Sequence, residues 1–245
     1  MTDAGAAEAP SYRRFDCASR DADVEAQATE AAREAVDAGE CIVLPTDTVY
    51  GIGADAFSAD AVQRLLEAKN RGRDMPPPVL IGDASLVRAL ATDVPDAARE
   101  LAEAHWPGAL TIICRIQPSL RMDLGDTDGT IALRVPDHEL ARAILRRTGP
   151  MAVSSANLSG QPAALTCDEA VAMLGDRVAV YLDGGALAGQ EAADALPSTI
   201  VDFTRHDQGE LLRRGALDLA TLRRTVPDLR DLLGPDDDTS EEAED

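Results

Sequence analysis

The apolar residues of the chain follow two patterns, short continuous runs and sets spaced at helical intervals. Short runs bounded by turn-forming residues are typical of buried strands, while the wider spacing indicates helices with one buried face. The runs predict strands at 41–44, 79–81, 109–114, 130–135, 151–153, 178–182, 199–203 and 210–213. The spaced sets predict helices at about 21–38, 59–69, 84–91, 96–105, 138–147 and 167–174, with short C-terminal helices after them.

Residues at the ends of several predicted elements support these boundaries. Ser58 is suited to cap the helix that follows it, because its hydroxyl can accept a hydrogen bond from a free helix N–H group. Gly39 closes the first helix, and Pro45 ends the first strand. Residues 45–57 then form a loop whose glycines allow the backbone to approach a ligand closely. An ordinary strand–loop–helix connection, with Tyr50 in the core, is the alternative interpretation.

Strands and helices are mixed along the whole chain, which favours a single α/β domain. Their alternation is too irregular to predict a regular doubly wound parallel sheet. We expect an irregular N-terminal arm at 1–19 and a catalytic domain at 20–225. Residues 226–245 are expected to form a short helix and a disordered acidic tail, since 235–245 carries seven acids and no base.

The charge balance narrows the class of ligand. The chain has 23 Lys and Arg residues against 44 Asp and Glu, a net charge of −21. Without the acids of the tail, residues 1–234 still carry −14. A field of that sign repels phosphate backbones, so a broad nucleic-acid-binding surface is disfavoured.

The sequence also predicts the compartment. No run approaches the ~18–20 apolar residues that span a bilayer, and the first residues lack an apolar signal core, so we expect a cytoplasmic protein. The four cysteines form no CxxC pair, which favours reduced thiols over disulfides or a zinc site. The three histidines lie far apart in sequence, and we expect structural or surface roles for them. The four cysteines are Cys17, Cys41, Cys114 and Cys167.

One residue count points to a site. The chain has 22 arginines and a single lysine, Lys69. A lysine kept in an arginine-rich composition suggests a place where a compact ammonium is needed and a planar guanidinium does not fit. The alternative is that this lysine was retained by chance.

Polar residues crowd the ends of predicted strands, although the P-loop, dinucleotide, HExxH and GxSxG motifs are absent. Residues 69–74 place three cations at a helix end, which suits a polyphosphate or a carboxylate. Residues 151–160 open a strand into Ser-Ser-Ala-Asn-Leu-Ser-Gly, whose donors and acceptors suit sugar or phosphate oxygens. The alternatives are a helix end stabilised by basic residues and a capped turn. Thr130 with Arg134, and residues 197–199, repeat the pattern.

Six segments in fixed order resemble the YrdC-like family, and within it the threonylcarbamoyl-AMP synthases. They are PTDTVYGIGADA, AKNRGRDMPPPVLI, WPGALTII, IALRVPDH, SSANLSG and PSTIVDF, and the resemblance covers about residues 35–215. Lys69-x-Arg71 and Ser155-x-Asn157 match the signature of the family. The resemblance implies a twisted mixed sheet, flanked by helices, around a large, open, positively charged cavity.

The resemblance also implies an activity. L-threonine, bicarbonate or CO2, and ATP would give threonylcarbamoyl-adenylate and pyrophosphate. A separate transferase complex would then place the threonylcarbamoyl group on the adenosine next to the anticodon of ANN-decoding tRNAs. The chain would need little direct tRNA binding and no membrane, and Mg²⁺ would arrive with ATP rather than occupy a protein cage.

The site residues implied by the family have three roles, and two of the residues appear in more than one of them. Lys69 and Arg71 would be catalytic and would neutralise the phosphates. The residues expected to hold threonine are Thr48, Arg134 and Ser198, with Arg134 pairing its carboxylate. The residues expected to bind ATP are Lys69, Arg71, Thr130, Ser155, Asn157 and Arg213.

Four positions depart from the family pattern, which affects the threonine side and part of the nucleotide side. They are Met75, Leu80 in place of a histidine, Ala163 in place of a hydroxyl residue, and Arg214 in place of a proline. Two other functions remain compatible with the sequence. One is a non-enzymatic YrdC-like module that binds RNA or a nucleotide, and the other is a carbamoyl-transfer enzyme on the same fold.

Overall fold

The computed structural model describes residues 10–187 and 196–234. Its helices are α1 (Ala22–Asp37), α2 (Ala59–Ala68), α3 (Val87–Leu90), α4 (Asp96–His105), α5 (Glu139–Thr148), α6 (Cys167–Leu174) and α7 (Leu219–Thr225). Single 3₁₀ turns lie at Ala84–Leu86 and Gly175–Arg177. The strands are β1 (Arg13–Asp16), β2 (Ile42–Leu44), β3 (Gly51–Asp55), β4 (Val79–Leu80), β5 (Ala91–Thr92), β6 (Leu110–Ile116), β7 (Thr130–Arg134), β8 (Met151–Ser155), β9 (Val180–Asp183), β10 (Thr199–Asp202), β11 (Glu210–Arg213) and β12 (Arg230–Asp231).

The strands of the described residues form one mixed sheet. Its order is β1-β9-β2-β3-β8-β4-β7-β6-β10-β11-β12, and β5 pairs with β6 off this path. The pairs in the middle of the sheet, β2–β3, β3–β8, β4–β8 and β6–β7, are antiparallel, while β4–β7 and β6–β10 are parallel. The prediction of one α/β domain built on a mixed sheet is confirmed.

Both faces of the sheet are buried, which explains why the strands read as continuous apolar runs. On β2, Val43 belongs to one core cluster and its neighbours Ile42 and Leu44 to the other. Helices α1 and α5 pack over the Ile42 side, and α2, α4 and α6 contribute to the opposite side.

The cap predicted at Ser58 is confirmed, and α1 has a cap that the sequence analysis did not name. Asp21 caps α1 by accepting from the N–H groups of Asp23 at 2.9 Å and Val24 at 3.2 Å. Ser58 caps α2 by accepting from Ala61 N at 3.3 Å. Both contacts lie within one helical turn, so the sequence contains all the information they need.

The expected loop at 45–57 is wrong in its second half, because β3 begins at Gly51. Its glycines lie under the side chains of β8: a Cβ on Gly51 would lie 2.6 Å from Val153 Cγ1, and one on Gly53 would lie 2.7 Å from Met151 Cε. The two glycines therefore mark a close approach of strand and side chain rather than a turn.

Both ends of the domain also differ from expectation. Residues 13–16 of the expected irregular arm form β1, which pairs in parallel with β9. After α7 the chain forms no further helix among the described residues, and instead returns as β12 beside β11. Residues 1–9 and the acidic tail at 235–245 lie outside the described residues.

Candidate active site

A cavity of about 240 Å³ opens beside the ends of β7, β8 and β11. Seven of the nine predicted site residues line it, drawn from distant parts of the chain. They are Thr48, Arg71, Thr130, Arg134, Ser155, Ser198 and Arg213. The fold therefore brings together most of the predicted site.

Positive charge distinguishes this cavity from the rest of the molecule. Three arginines line it, and the described lining residues include no Asp or Glu. Burial lowers the pKa of Arg213, and the neighbouring charges of Arg134 and Arg71 lower it further. Since an arginine in a protein stays protonated, the guanidinium groups of this cavity attract anions.

Arg134 is fixed by three contacts at the end of β7. Its Nε donates to Gly108 O at 3.0 Å, Nη1 donates to Thr48 Oγ1 at 3.0 Å, and Nη2 pairs with Asp47 Oδ1 at 2.6 Å. The Arg134 side chain is 7% exposed and that of Asp47 is 15% exposed, so the ion pair is largely shielded from water. Two of the five guanidinium N–H groups remain for a ligand.

Arg213 and Ser198 form a second fixed group. Arg213 donates to Ser198 O from Nε at 3.1 Å and from Nη2 at 2.7 Å. The Ser198 hydroxyl lies 2.8 Å from that of Thr111 and accepts from Arg213 Nη2 at 3.1 Å. Thr111 is completely buried and also lines the cavity, so it is a site residue that the sequence analysis missed.

Arg71 lies just beyond the end of α2 and is the third arginine of the lining. Its Nη1 donates to Ser154 Oγ at 2.9 Å, while its buried Nε has no partner among the described residues. Burial lowers the pKa of Arg71. Ser154 is a second missed site residue, because nothing in the motif distinguishes it from its neighbour Ser155.

Lys69 and Asn157 are the two predicted residues that do not line the cavity. The Lys69 side chain is 2% exposed, and its Nζ donates to Ser155 O, to Asn157 O at 2.7 Å and to Asn157 Oδ1 at 3.2 Å. Burial and the charge of Arg71 lower the pKa of Lys69 to about 8. In this structure the ammonium holds the loop after β8, and the contact of Lys69 and Asn157 with phosphate stays a prediction.

The turn at 45–50 is closed by its own hydroxyl groups. Thr46 Oγ1 donates to Val49 O at 2.6 Å and accepts from the N–H groups of Thr48 and Val49. Tyr50 is fully buried in the core, and its hydroxyl donates to Gly185 O at 2.6 Å. The interpretation of Tyr50 as a core residue is confirmed.

The departures from the family pattern fall in different places. Leu80 is buried and contributes apolar surface to the cavity. Arg214 points away from it, toward Asp231 at 3.0 Å. Met75 is 44% exposed. Ala163 is not part of the cavity lining.

The other candidate chemistry of the sequence stays dispersed. The four cysteines are all buried and unpaired, as expected. His105 lies on α4, His138 precedes α5 and His206 precedes β11. Among residues 10–187 and 196–234, no group of three His, Cys, Asp or Glu side chains could hold a metal ion, and no helix is long and apolar enough to cross a membrane.

Sequence comparisons agree with the resemblance. A family model named Sua5_yciO_yrdC, described as telomere recombination, matches residues 34–215. A "Putative threonylcarbamoyl-AMP synthase" of Mycobacterium leprae is 50% identical over 212 residues, covering 86% of this chain and 93% of the relative. The "Threonylcarbamoyl-AMP synthase" of Bacillus subtilis is 42% identical over 164 residues, covering 65% of this chain and 46% of that longer relative.

Solved structures give the same picture. Sua5 of P. abyssi complexed with L-threonine matches with a TM-score of 0.78 and 30% identity, covering 84% of this chain and 59% of that chain. A variant of the same protein gives a TM-score of 0.81 over 90% of this chain and 62% of that chain. YciO of E. coli matches with a TM-score of 0.71 at 24% identity, and supports the fold alone. This chain thus spans about three fifths of the archaeal protein.

Proposed function

The chain belongs to the Sua5/YciO/YrdC family, and on that premise we propose that it is a nucleotidyltransferase that makes threonylcarbamoyl-AMP. Its substrates are L-threonine, bicarbonate or CO2, and ATP, and its second product is pyrophosphate. The names of the relatives and the threonine bound to a structural neighbour support this proposal.

The observation that carries the proposal is the cavity with three arginines and no acid among its described lining residues, in a protein with a net charge of −21. Such a cavity selects small anions while the surface repels nucleic acid. Both reacting partners are anions: the carbamate formed when the threonine amine adds to CO2, and the triphosphate of ATP. Their approach requires charge neutralisation and alignment rather than a covalent nucleophile.

The residues assign the two substrates to adjoining subsites of the cavity, which meet where Arg213 donates to Ser198. Arg134 pairs the threonine carboxylate, and Thr48 and Ser198 complete that subsite. On the nucleotide side, Arg71 and Arg213 neutralise the phosphates, and Thr130 and Ser155 offer further polar contacts. A carbamate oxygen attacks the α-phosphorus, the bond to the β-phosphate oxygen breaks, and pyrophosphate leaves with the charge that the guanidinium groups stabilise.

Lys69 and Asn157 act indirectly in this scheme. Their contacts hold the loop that follows β8, which presents Ser155 to the cavity. We therefore treat them as positioning residues rather than as ligands of phosphate.

Mg²⁺ fits the site only as a companion of ATP. The cavity offers hydroxyl and guanidinium groups but no carboxylate among its described lining residues, and hard divalent cations prefer oxygen ligands that carry negative charge. When bound, the ion neutralises phosphate oxygens supplied by the nucleotide.

The product would pass to a separate transferase complex in the cytoplasm, which carries out the tRNA step.

Incubation of the purified protein with ATP, labelled bicarbonate and a panel of amino acids tests the proposal. We expect labelled threonylcarbamoyl-AMP and pyrophosphate with threonine, and ATP–pyrophosphate exchange that depends on threonine and bicarbonate. Arg71→Ala should abolish both, whereas Arg224→Ala, an exposed arginine on α7, should behave as wild type. Exchange without threonine, or label in a different product, would contradict the proposal.

A further inference from the structure

The three cavity arginines differ in one respect. Arg134 forms a buried ion pair with Asp47, at 2.6 Å between Nη2 and Oδ1. Arg71 and Arg213 form no ion pair with any of the described residues, and their side chains contact Ser154 and Ser198 instead. Among the described residues, Arg134 is therefore the cavity arginine whose charge is balanced by a direct ion pair, whereas Asp74 acts on Arg71 without contacting it as an ion pair.

This difference affects how the cavity distinguishes a polyphosphate from an amino-acid carboxylate. If the cavity takes both a triphosphate and an amino-acid carboxylate, a highly charged phosphate would compete for every free arginine. A cancelled charge attracts a polyanion far less than a free one, while a guanidinium held in a fixed orientation still donates two hydrogen bonds to a carboxylate. Asp47 supplies both conditions at Arg134.

Asp47 does not line the cavity, so its effect must pass through Arg134. Its carboxylate lies behind the guanidinium and forms part of the wall of a neighbouring groove between α1 and α5. The adjacent residue, Thr48, accepts a second hydrogen bond from the same guanidinium. The turn at 45–50 thus fixes Arg134 from two sides.

We propose that Asp47 sorts the two anionic substrates: by pairing with Arg134 it reserves that arginine for the amino-acid carboxylate and directs polyphosphate to Arg71 and Arg213. This inference rests on the proposed function. It assigns Asp47 a role in positioning and selectivity that the sequence motifs alone do not indicate.

The test measures threonine binding by calorimetry with and without saturating inorganic tripolyphosphate. Wild-type protein should bind threonine equally in both conditions. Asp47→Asn keeps an oxygen acceptor for Arg134 but removes the charge, so tripolyphosphate should raise the Kd for threonine by about tenfold or more. Asp47→Glu, which keeps the charge, should still exclude most of the tripolyphosphate from Arg134.

Asp137→Asn is the matched control. It removes the same charge from another Asp–Arg pair, formed with Arg142 at 2.9 Å, in which the carboxylate is 64% exposed. It should bind threonine as wild type does. The thermal midpoint of each variant reports whether it folds.

Two results would overturn the inference. One is an Asp47→Asn variant whose threonine binding is as insensitive to tripolyphosphate as that of wild type. The other is an Asp47→Glu variant that loses exclusion to the same extent as Asp47→Asn. A wild-type protein that binds no threonine at all would contradict the proposed function itself. The two failures are therefore distinguishable.

Discussion

The Nζ atom of Lys69 donates a hydrogen bond to the main-chain carbonyl oxygen of Asn157 at 2.7 Å, behind the wall of the arginine-lined cavity. The same ammonium also donates to the main-chain carbonyl oxygen of Ser155, a residue that lines the cavity. A residue at the end of α2 thereby fixes the loop after β8. The single lysine of the chain is thus placed where three oxygen acceptors converge on one tetrahedral donor.

Replacing Lys69 should damage both stability and synthesis. Lys69→Ala leaves buried carbonyl groups without a donor, at about 1–3 kcal/mol for each unsatisfied group. We expect product formation to fall by about 100-fold, the loss that a displacement of about 1 Å in a residue lining the site can cause. Lys69→Arg should also be impaired, because a planar guanidinium cannot donate to three converging oxygens in a site that is 2% exposed.

Product assays and thermal unfolding of both variants provide the measurement. Arg64→Lys is the control, since Arg64 is exposed on the same helix. Wild-type rates in Lys69→Arg would show that the shape of the ammonium is irrelevant and would leave the lone lysine as an accident of composition.

The lowered pKa of Lys69 predicts a pH dependence of stability. Burial and the charge of Arg71 lower this pKa to about 8, from 10.5 in the unfolded chain. Between these two values the unfolded chain keeps a proton that the folded protein has released. The free energy of unfolding should therefore increase with pH in this window, by at most about 3 kcal/mol.

Denaturant unfolding from pH 7 to 10.5 measures this effect if wild type is compared with Lys69→Met. The tyrosines and cysteines that also titrate in alkali are common to both proteins, so their contributions cancel in the difference. A difference that does not change with pH would contradict the prediction.

The close approach of β3 and β8 predicts a non-additive pair of mutations. Gly51→Ala places a Cβ 2.6 Å from Val153 Cγ1 and should destabilise the protein by about 1–3 kcal/mol. Val153→Ala removes the group that clashes, so the double variant should lose less stability than the sum of the two single variants. Chemical denaturation of the four proteins of this cycle measures the coupling, and additive losses would mean that the clash relaxes elsewhere.

The sequence predicted those parts of the fold whose causes are local. Ser58 was recognisable as a cap because it contacts an N–H group within the first turn of the helix that follows it. Strand β3 was missed because Gly51 and Gly53 lower strand propensity, and the side chains that require them lie on β8, about a hundred residues later. Strand β1 was missed because Arg13–Asp16 has little apolar character and exists through pairing with β9.

The candidate site was predictable to a similar depth. In the structure Leu133 lies in the core, and the next residue of β7, Arg134, lines the cavity. Asp47 and Thr111 could not be recognised, because their roles depend on partners 87 residues away in each case. The available signal for Asp47 was its position as the one acidic residue beside the two threonines of the motif PTDT.

Arg134 should govern threonine more than ATP. Its guanidinium is held by Gly108, Thr48 and Asp47, and its remaining N–H groups are available to a carboxylate. Arg134→Lys keeps a charge beside Asp47 but loses the two-pronged donor, so the Kd for threonine should rise by about tenfold or more. The Kd for ATP should stay within about threefold, because Arg71 and Arg213 remain.

Arg134→Ala is a harsher change, because it leaves the buried Asp47 carboxylate without its partner. Breaking a buried pair in this way costs about 3–5 kcal/mol, so this variant should lose stability as well as threonine binding. Arg134→Lys is therefore the informative variant, and Arg134→Ala with Asp47→Ala separates the lost ligand contact from the unpaired charge. Calorimetric titration with threonine and, separately, with ATP decides the matter: equal weakening of both ligands, or of neither, would mean that Arg134 does not hold the threonine carboxylate.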